Sequence, residues 1–263
     1  MRTILDDIVE NRREEVIRQR QLVSLAELTA KTDFSSPRLS MAQLLIALGS
    51  SGIIAEFKRM SPSKGIINDR VEPQVVTKGY AEAGAAGVSV LTDSRYFGGS
   101  TADFNAARSA IPGTPMIRKD FMVDEYQIHE ARFMRADVIL LIAAVLDKSE
   151  ISQYTSVAHE LGLEVLLELH DESELEKIDP RVDMIGINNR NLKDFKVDME
   201  QSLRLFDQLP ATAIKISESG LSDPKTVDFL RNHGFQGFLM GENFMKMENP
   251  AAACSAFISS LKI

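Results

Sequence analysis

The sequence predicts an α/β protein folded as a (β/α)8 TIM barrel with an N-terminal helical extension. Short apolar runs recur at 53–57, 88–91, 115–118, 138–142, 164–169, 184–188, 213–217 and 237–240. They are apolar on both faces rather than alternating, as expected for parallel strands covered by helices. Between several of them lie segments whose apolar residues recur at spacings of three, four and seven, which gives each one a single apolar helical face. The length of 263 residues suits one barrel domain of ~250 residues. No G-x-G-x-x-G or G-x-x-x-x-G-K-[ST] appears where an open, doubly wound sheet would hold a nucleotide. The division expected is 1–48 as extension packed over the barrel mouth and 49–263 as barrel.

Taken in order, residues 3–20 read as a helix with Leu5, Ile8, Val9 and Val16 on one side. Two further helical stretches, 24–30 and 41–48, flank a polar linker around 34–37. The first strand, 53–57, runs into Glu56 and Lys58. Two residues apart on a strand, they share a face, while Phe57 points the other way. A loop of Ser, Pro and Gly carrying Arg59 and Lys64 follows. A structural ion pair beside a solvated basic loop is the plain alternative to a functional reading.

The helices that follow are marked by Val76, Tyr80 and Ala83 stopping at Gly84, and by Ile151, Tyr154, Ala158 and Leu161 stopping at Gly162. Met199, Leu203 and Phe206 mark another. Val227 and Leu230 mark the next, opened by Asp223-Pro224 as cap and first residue. Cys254, Phe257, Ile258 and Leu261 mark the last.

Composition narrows the function classes. With 44% hydrophobic and 26% charged residues the chain has ordinary globular content, and its net charge of −8 argues against a nucleic-acid surface. The one cysteine, Cys254, excludes an intramolecular disulfide and fits a reducing compartment. No run approaches ~20 apolar residues and the start MRTILDD has no signal-type apolar core, so a cytoplasmic protein without membrane contact is expected. No histidine pair has metal-ligand spacing, so no metal is expected. His129, His159 and His233 read as surface residues, His170 follows Glu168 closely enough to approach the mouth, and Lys215 reads as a buried ion-pair partner within a strand.

Barrel enzymes build their sites at the C-terminal ends of the strands. Those ends carry Glu56 and Lys58, Thr92-Asp93, Lys119-Asp120, Glu168, Asn188 with Arg190, Glu218-Ser219-Gly220, and Gly241. A single charge at such a position is usually a salt bridge or cap. Two lysines, three glutamates and an asparagine converging on one mouth indicate an enzyme. Ser219-Gly220 and Gly241-Glu242 place small residues and free backbone N–H groups after the last two strands, where barrels bind phosphate. Glycine turns are common there anyway, and Glu242 is adverse to an anion unless it faces away.

In order, AEFKRMSPSKG, ILTDSRYFGGS, IRKDFMVDEYQI, ADVILLIAAVL, LLELHD, GINNRNL, ISESGL and LMGENFM closely resemble the indole-3-glycerol phosphate synthase family of tryptophan biosynthesis. The resemblance runs from ILDDIVENRREEV to the last helix. It implies a carboxy-lyase that closes the ring of 1-(2-carboxyphenylamino)-1-deoxyribulose 5-phosphate with loss of CO2 and water. It places the catalytic set on Glu56, Lys58, Lys119, Glu168, Asn188, Glu218 and Ser219. It places substrate binding on Lys58, Ser61, Phe97, Phe121, Arg190, Leu192, Ser219, Gly220, Gly241 and Glu242. Of these, Phe97, Phe121 and Leu192 would hold the anthranilate ring. No cofactor is implied, and the expected partner is a small phosphorylated substrate, with the chain a monomer or weak homodimer. The sequence departs from the family pattern at Met60, at Arg135 in place of a helix-ending Gly, and at Asn243-Phe244.

Three other readings are weighed against this one. Phosphoribosylanthranilate isomerase would want a Cys at the first strand end and an Asp later, where Lys58 and Asn188 stand. A Schiff-base aldolase would use Lys119 or Lys215 as nucleophile. A noncatalytic phosphate-binding barrel would have lost an acid or base.

Overall fold

A computed structural model describes residues 2–191 and 196–262. Three helices come first: α1 (Ile4–Leu22), α2 (Leu25–Lys31) and α3 (Met41–Ile46). Thr3 caps α1 and Ser24 caps α2, each in a capping box with an acidic residue three positions on, Asp6 and Glu27. Then come β1 (Ile53–Phe57), a small hairpin of β2 (Met60–Ser61) and β3 (Gly65–Ile66), and α4 (Pro73–Glu82). The alternation continues with β4 (Gly87–Leu91), α5 (Thr101–Ala110), β5 (Met116–Lys119), α6 (Tyr126–Phe133), β6 (Val138–Ile142) and α7 (Lys148–Glu160). After β7 (Glu164–Leu169) a 3-10 turn (Glu172–Lys177) leads to β8 (Met184–Asn188) and α8 (Glu200–Phe206). The chain finishes with β9 (Ile214–Glu218), α9 (Pro224–His233), β10 (Gly237–Met240), α10 (Glu242–Met245) and α11 (Pro250–Ser259).

Eight strands close a parallel barrel in the order β1-β10-β9-β8-β7-β6-β5-β4. Strand periodicity then sorts the side chains. One set, including Ile53, Phe57, Val88, Val90, Leu141 and Val165, packs outward against the helices. The other fills the lumen with Ile54, Ile117, Leu140, Leu166, Met184, Ile216 and Leu239. Two residues on from such lumen positions, the same columns deliver Glu56, Lys119, Glu168 and Glu218. The lateral register sets Ile142 beside Glu168 and Asn188 beside Glu218. The apolar layer and the charged layer therefore come from one alternating pattern, read at two heights in the barrel.

The predicted elements lie within a few residues of the observed ones, with the short α10 and two longer helices unforeseen. In α5 the sequence TADFNAARSA offers only Phe104 and small alanines as an apolar face. In α6 the buried set includes Gln127 and Arg132, which disguises the helical pattern. The helix-ending Gly replaced by Arg135 leaves that residue at a φ of 60°, the left-handed turn a glycine would take without strain.

The three helices of the extension divide between two ends of the barrel. Ile4, Leu5 and Ile8 of α1 line the mouth. Arg12, buried on the same helix, reaches Asp120 Oδ2 at 2.5 Å, and Thr92 and Arg118 bond that same carboxylate. By contrast α3 plugs the opposite end: Met41 and Leu45 join the luminal cluster. At that end Glu164, opening β7, accepts from the backbone N–H groups of Met41 and Ala42. The expectation that all of 1–48 lies over the mouth is corrected accordingly.

Truncations should separate these roles. Deleting 1–22 leaves the plug in place and is expected to give a folded barrel with a raised KM. Deleting 1–45 removes two fully buried side chains worth ~2–5 kcal/mol each, a large share of the ~5–15 kcal/mol typical of a domain. That protein is expected to lose its cooperative melt, and a sharp thermal transition in it would contradict the assignment of α3.

Candidate active site

The inward columns end in a tight charge cluster. Lys119 Nζ donates to Glu168 Oε2 at 2.8 Å and to Glu218 Oε2 at 2.9 Å. Lys58 Nζ sits 2.7 Å from Glu56 Oε1, as their shared strand face requires. Asn188 Nδ2 donates to Glu168 Oε1 at 3.0 Å. All three glutamates are at most 5% exposed, so each needs a partner to remain charged.

Two glycines leave the room these carboxylates occupy. A Cβ on Gly186 would overlap Glu218 Oε1, and one on Gly241 would stand 2.6 Å from Glu56 Oε1. Nothing local to Gly186 points to this role, because its neighbour becomes visible only when β8 and β9 pair.

Burial and charge act in opposition on the ionisable groups. Burial disfavours the Lys119 ammonium, but Glu168, Glu218 and Glu56 together outweigh it and hold the amine protonated well above the usual lysine range. Glu168 is also opposed by burial, yet Lys119 and the neighbouring His170 bring it well below the carboxylate range. Glu218 goes the other way. Burial raises it, the charge of Glu168 adds to the rise, and Lys119 only partly compensates, leaving it at about 7.

Around this cluster the mouth has two sides. One is apolar, with Leu5 and Ile8 of α1, Leu140, Phe97 and Phe121 among its walls. The rings of Phe97 and Phe121 lie 5.8 Å apart at 39°, open as a shelf for a flat ring. Ser61 of the hairpin, buried, lines the same side. The other side is polar and lined by Lys58, Ser219, Gly220, Gly241 and Lys246. Ser219 and Gly220 stand at φ of 68° and 77°, a left-handed pair after β9. Lys58 and Arg190 border both sides, so one elongated ligand fits across them.

Glu242, adverse to an anion by its charge, is met by Arg190 Nη2 at 3.1 Å and by Lys64 Nζ at 3.5 Å. The Arg190 backbone N–H is held in turn by Asn188 Oδ1 at 3.0 Å. Of the predicted site residues, Leu192 lies outside the described residues. The others converge on this mouth.

Several participants were not foreseen: Ile4, Leu5 and Ile8 from α1, the Arg12–Asp120 pair that seats that helix, and Gly186. Lys215 is corrected. It lies on the outer face of the barrel with Nζ 3.9 Å from the Phe206 ring centroid, a cation–π contact rather than a buried ion pair. Neither lysine suits a Schiff-base nucleophile: Lys215 is remote from the mouth, and Lys119 is held as an ammonium. Among the described residues no group of three or more metal-binding side chains occurs.

The family model for indole-3-glycerol phosphate synthase matches residues 5–257. The chain belongs to the indole-3-glycerol phosphate synthase family. A family member from Bacteroides thetaiotaomicron is 47% identical over the full length of both chains. One from Salinibacter ruber is 43% identical, covering 96% of this chain and 94% of the relative. One from a Polaromonas species is 41% identical over 96% and 97%. Among the described residues no helix is long and apolar enough to cross a membrane.

Membership in the family gives the polar side a test. Backbone N–H groups at Gly220 and Gly241 are the expected phosphate donors, and valine at either place crowds them. At Gly220 the new Cβ meets Val197 Cγ1 and must also adopt a left-handed φ. At Gly241 it presses on Glu56. Losing a hydrogen bond to an anion costs ~1.5–3 kcal/mol, about tenfold or more in KM. Inhibition by inorganic phosphate should weaken in parallel, and unchanged phosphate inhibition would place the anion elsewhere.

Proposed function

We propose that this chain converts 1-(2-carboxyphenylamino)-1-deoxyribulose 5-phosphate to indole-3-glycerol phosphate through the lysine and glutamate cluster at the barrel mouth. The observation that carries the reading is Lys119, an ammonium shared between Glu168 and Glu218 beside an aromatic shelf, with the glycine-lined polar side reached across Lys58. The anthranilate ring takes the apolar side against Phe97 and Phe121. The phosphate takes the polar side, with Lys58 between the two as partner for an anionic group of the substrate.

In the first step the ring carbon bearing the carboxylate attacks the ketone carbon. A carbon–carbon bond forms, the carbonyl π pair moves to oxygen, and Lys119 donates the proton that makes it a hydroxyl. CO2 then leaves and its bonding pair restores the aromatic ring, so no electron sink beyond the ring is required. In the last step Lys58 gives a proton to the hydroxyl, which departs as water, pushed by the nitrogen lone pair. A base removes the proton from the adjacent methylene, giving the indole double bond.

Glu168, a carboxylate held ionised at the mouth, is assigned as that base. Glu218, poised at about 7, and Asn188 keep Lys119 and Glu168 in register. Ser219 and Arg190 are assigned to the phosphate end. The test is direct: the purified chain with this substrate should generate indole absorbance and fluorescence together with CO2. Absence of both products would reject the reading.

A further inference from the structure

Two residues after the base proposed above lies a histidine with a buried side chain, which lines none of the surfaces assigned to substrate. His170 follows β7, its side chain 7% exposed, with Nε2 3.1 Å from Glu168 Oε1 and Nδ1 3.8 Å from Glu174 Oε2. The ring meets both carboxylates at ion-pair distance without an aligned hydrogen bond. Its backbone is fixed on both sides. Glu174 Oε2 accepts from the His170 N–H at 2.6 Å, and the Gln201 side chain donates to the His170 carbonyl.

We propose that His170, held as an imidazolium between Glu168 and Glu174, is a positioning residue that keeps the Glu168 carboxylate ionised and turned with Oε2 toward Lys119. The inference rests on the assignment of Glu168 as base.

Charge balance within the cluster supports this. Glu168 and Glu218 compete for the single charge of Lys119, and burial together with the Glu168 charge leaves Glu218 titrating near neutrality. A second cation on the far side of Glu168 favours the ionised form of that carboxylate, so a proton taken up near neutral pH goes to its neighbour Glu218. Oε1 is bracketed by the Asn188 amide and His170, and Oε2 is left to Lys119. Burial alone would discharge the imidazole. Glu168 and Glu174 override it and raise it to about 9, so it is a cation throughout the neutral range. The groups facing it are thus one carboxylate from its own strand and one from the 3-10 turn, with Lys119 of β5 and Glu218 of β9 beyond Glu168.

The test compares the full-length wild type with His170→Gln, His170→Ala and Glu174→Gln, reading kcat and KM against pH. Without the imidazolium, Glu168 takes up its proton more readily, so the acid limb of kcat/KM should move up by about one pH unit. At neutral pH, where Glu168 remains ionised, the misdirected carboxylate should lower kcat about tenfold with KM nearly unchanged, since no substrate contact is lost. His170→Gln keeps a donor of similar size and should keep the wild-type melting temperature, yet show the shifted limb. Glu174→Gln should shift the limb in the same direction by less. An unmoved acid limb in His170→Gln and His170→Ala, with activity falling only as fast as thermal stability, would overturn the proposal.

A readout independent of turnover separates this from failure of the functional reading. In protein labelled with 13C at the glutamate carboxyl, the Glu168 signal is identified by its loss in Glu168→Gln. Its titration midpoint should rise in His170→Gln, and an unchanged midpoint overturns the positioning role even if the wild type forms no indole.

Discussion

Lys119→Met is expected to lower kcat by ~10²–10⁴, the usual worth of a positioned general acid, with a smaller change in KM. The reason lies in where the ammonium sits. Among the described residues it is the only cation within hydrogen-bond distance of both Glu168 and Glu218, and it closes β5 beside the Phe121 shelf where the ketone would lie. Methionine keeps the length and loses the proton. It also leaves two buried carboxylates facing each other, which must then share a proton.

That second consequence has a sign. In the variant, Glu218 loses its cation while Glu168 keeps His170, so Glu218 binds a proton at higher pH than it does unfolded. The stability this proton contributes is present in acid and is lost as pH rises through the new midpoint. The variant should therefore melt closest to the wild type on the acid side of neutrality and fall behind it on the alkaline side. Kinetic comparisons belong where both proteins keep the same circular dichroism spectrum. Near-normal turnover there would move the acid role to Lys58.

Glu168→Gln is expected to cost a comparable factor, ~10²–10⁴, and to do so at a different step. Glutamine preserves the shape and the Asn188 contact but cannot accept the proton released during dehydration. Lys119, Lys58 and the glycine cradle remain, so condensation and loss of CO2 can still proceed. In single-turnover experiments CO2 should therefore appear ahead of indole in Glu168→Gln, whereas Lys119→Met should delay both together. Release of CO2 and indole in step in Glu168→Gln would remove Glu168 from the dehydration and leave Glu218 as the candidate.

The exchange of charged partners across the mouth also explains which residues are readable from the sequence alone. A strand of alternating side chains announces its own inward column. Glu56 and Lys58 two residues apart, Glu168 two beyond Leu166, and Glu218 two beyond Ile216 follow from local periodicity once a parallel barrel is accepted. The barrel itself was legible in the apolar runs, because strands buried on both faces cannot alternate. Two longer helices escaped because their buried faces hold what a periodicity search discounts, alanines in α5 and the polar Gln127 and Arg132 in α6.

The sequence by itself determined the strand order along the chain, the set of chemistry-bearing residues at the strand ends, and through its ordered motifs the family. Only the tertiary structure decided which of those residues share a proton or a charge. Lys119 meets Glu168 and Glu218 because β5, β7 and β9 aim across one lumen, a relation spanning 99 residues for the Lys119–Glu218 bond. It also decided that α1 lines the mouth while α3 plugs the opposite end, since an amphipathic pattern states that a face will be buried but not against what. Gly186, Gly241 and His170 gained their meaning the same way. Each matters through a carboxylate it adjoins, on another strand for the two glycines and on its own for His170. The environment that fixes that carboxylate's charge exists only when the barrel closes.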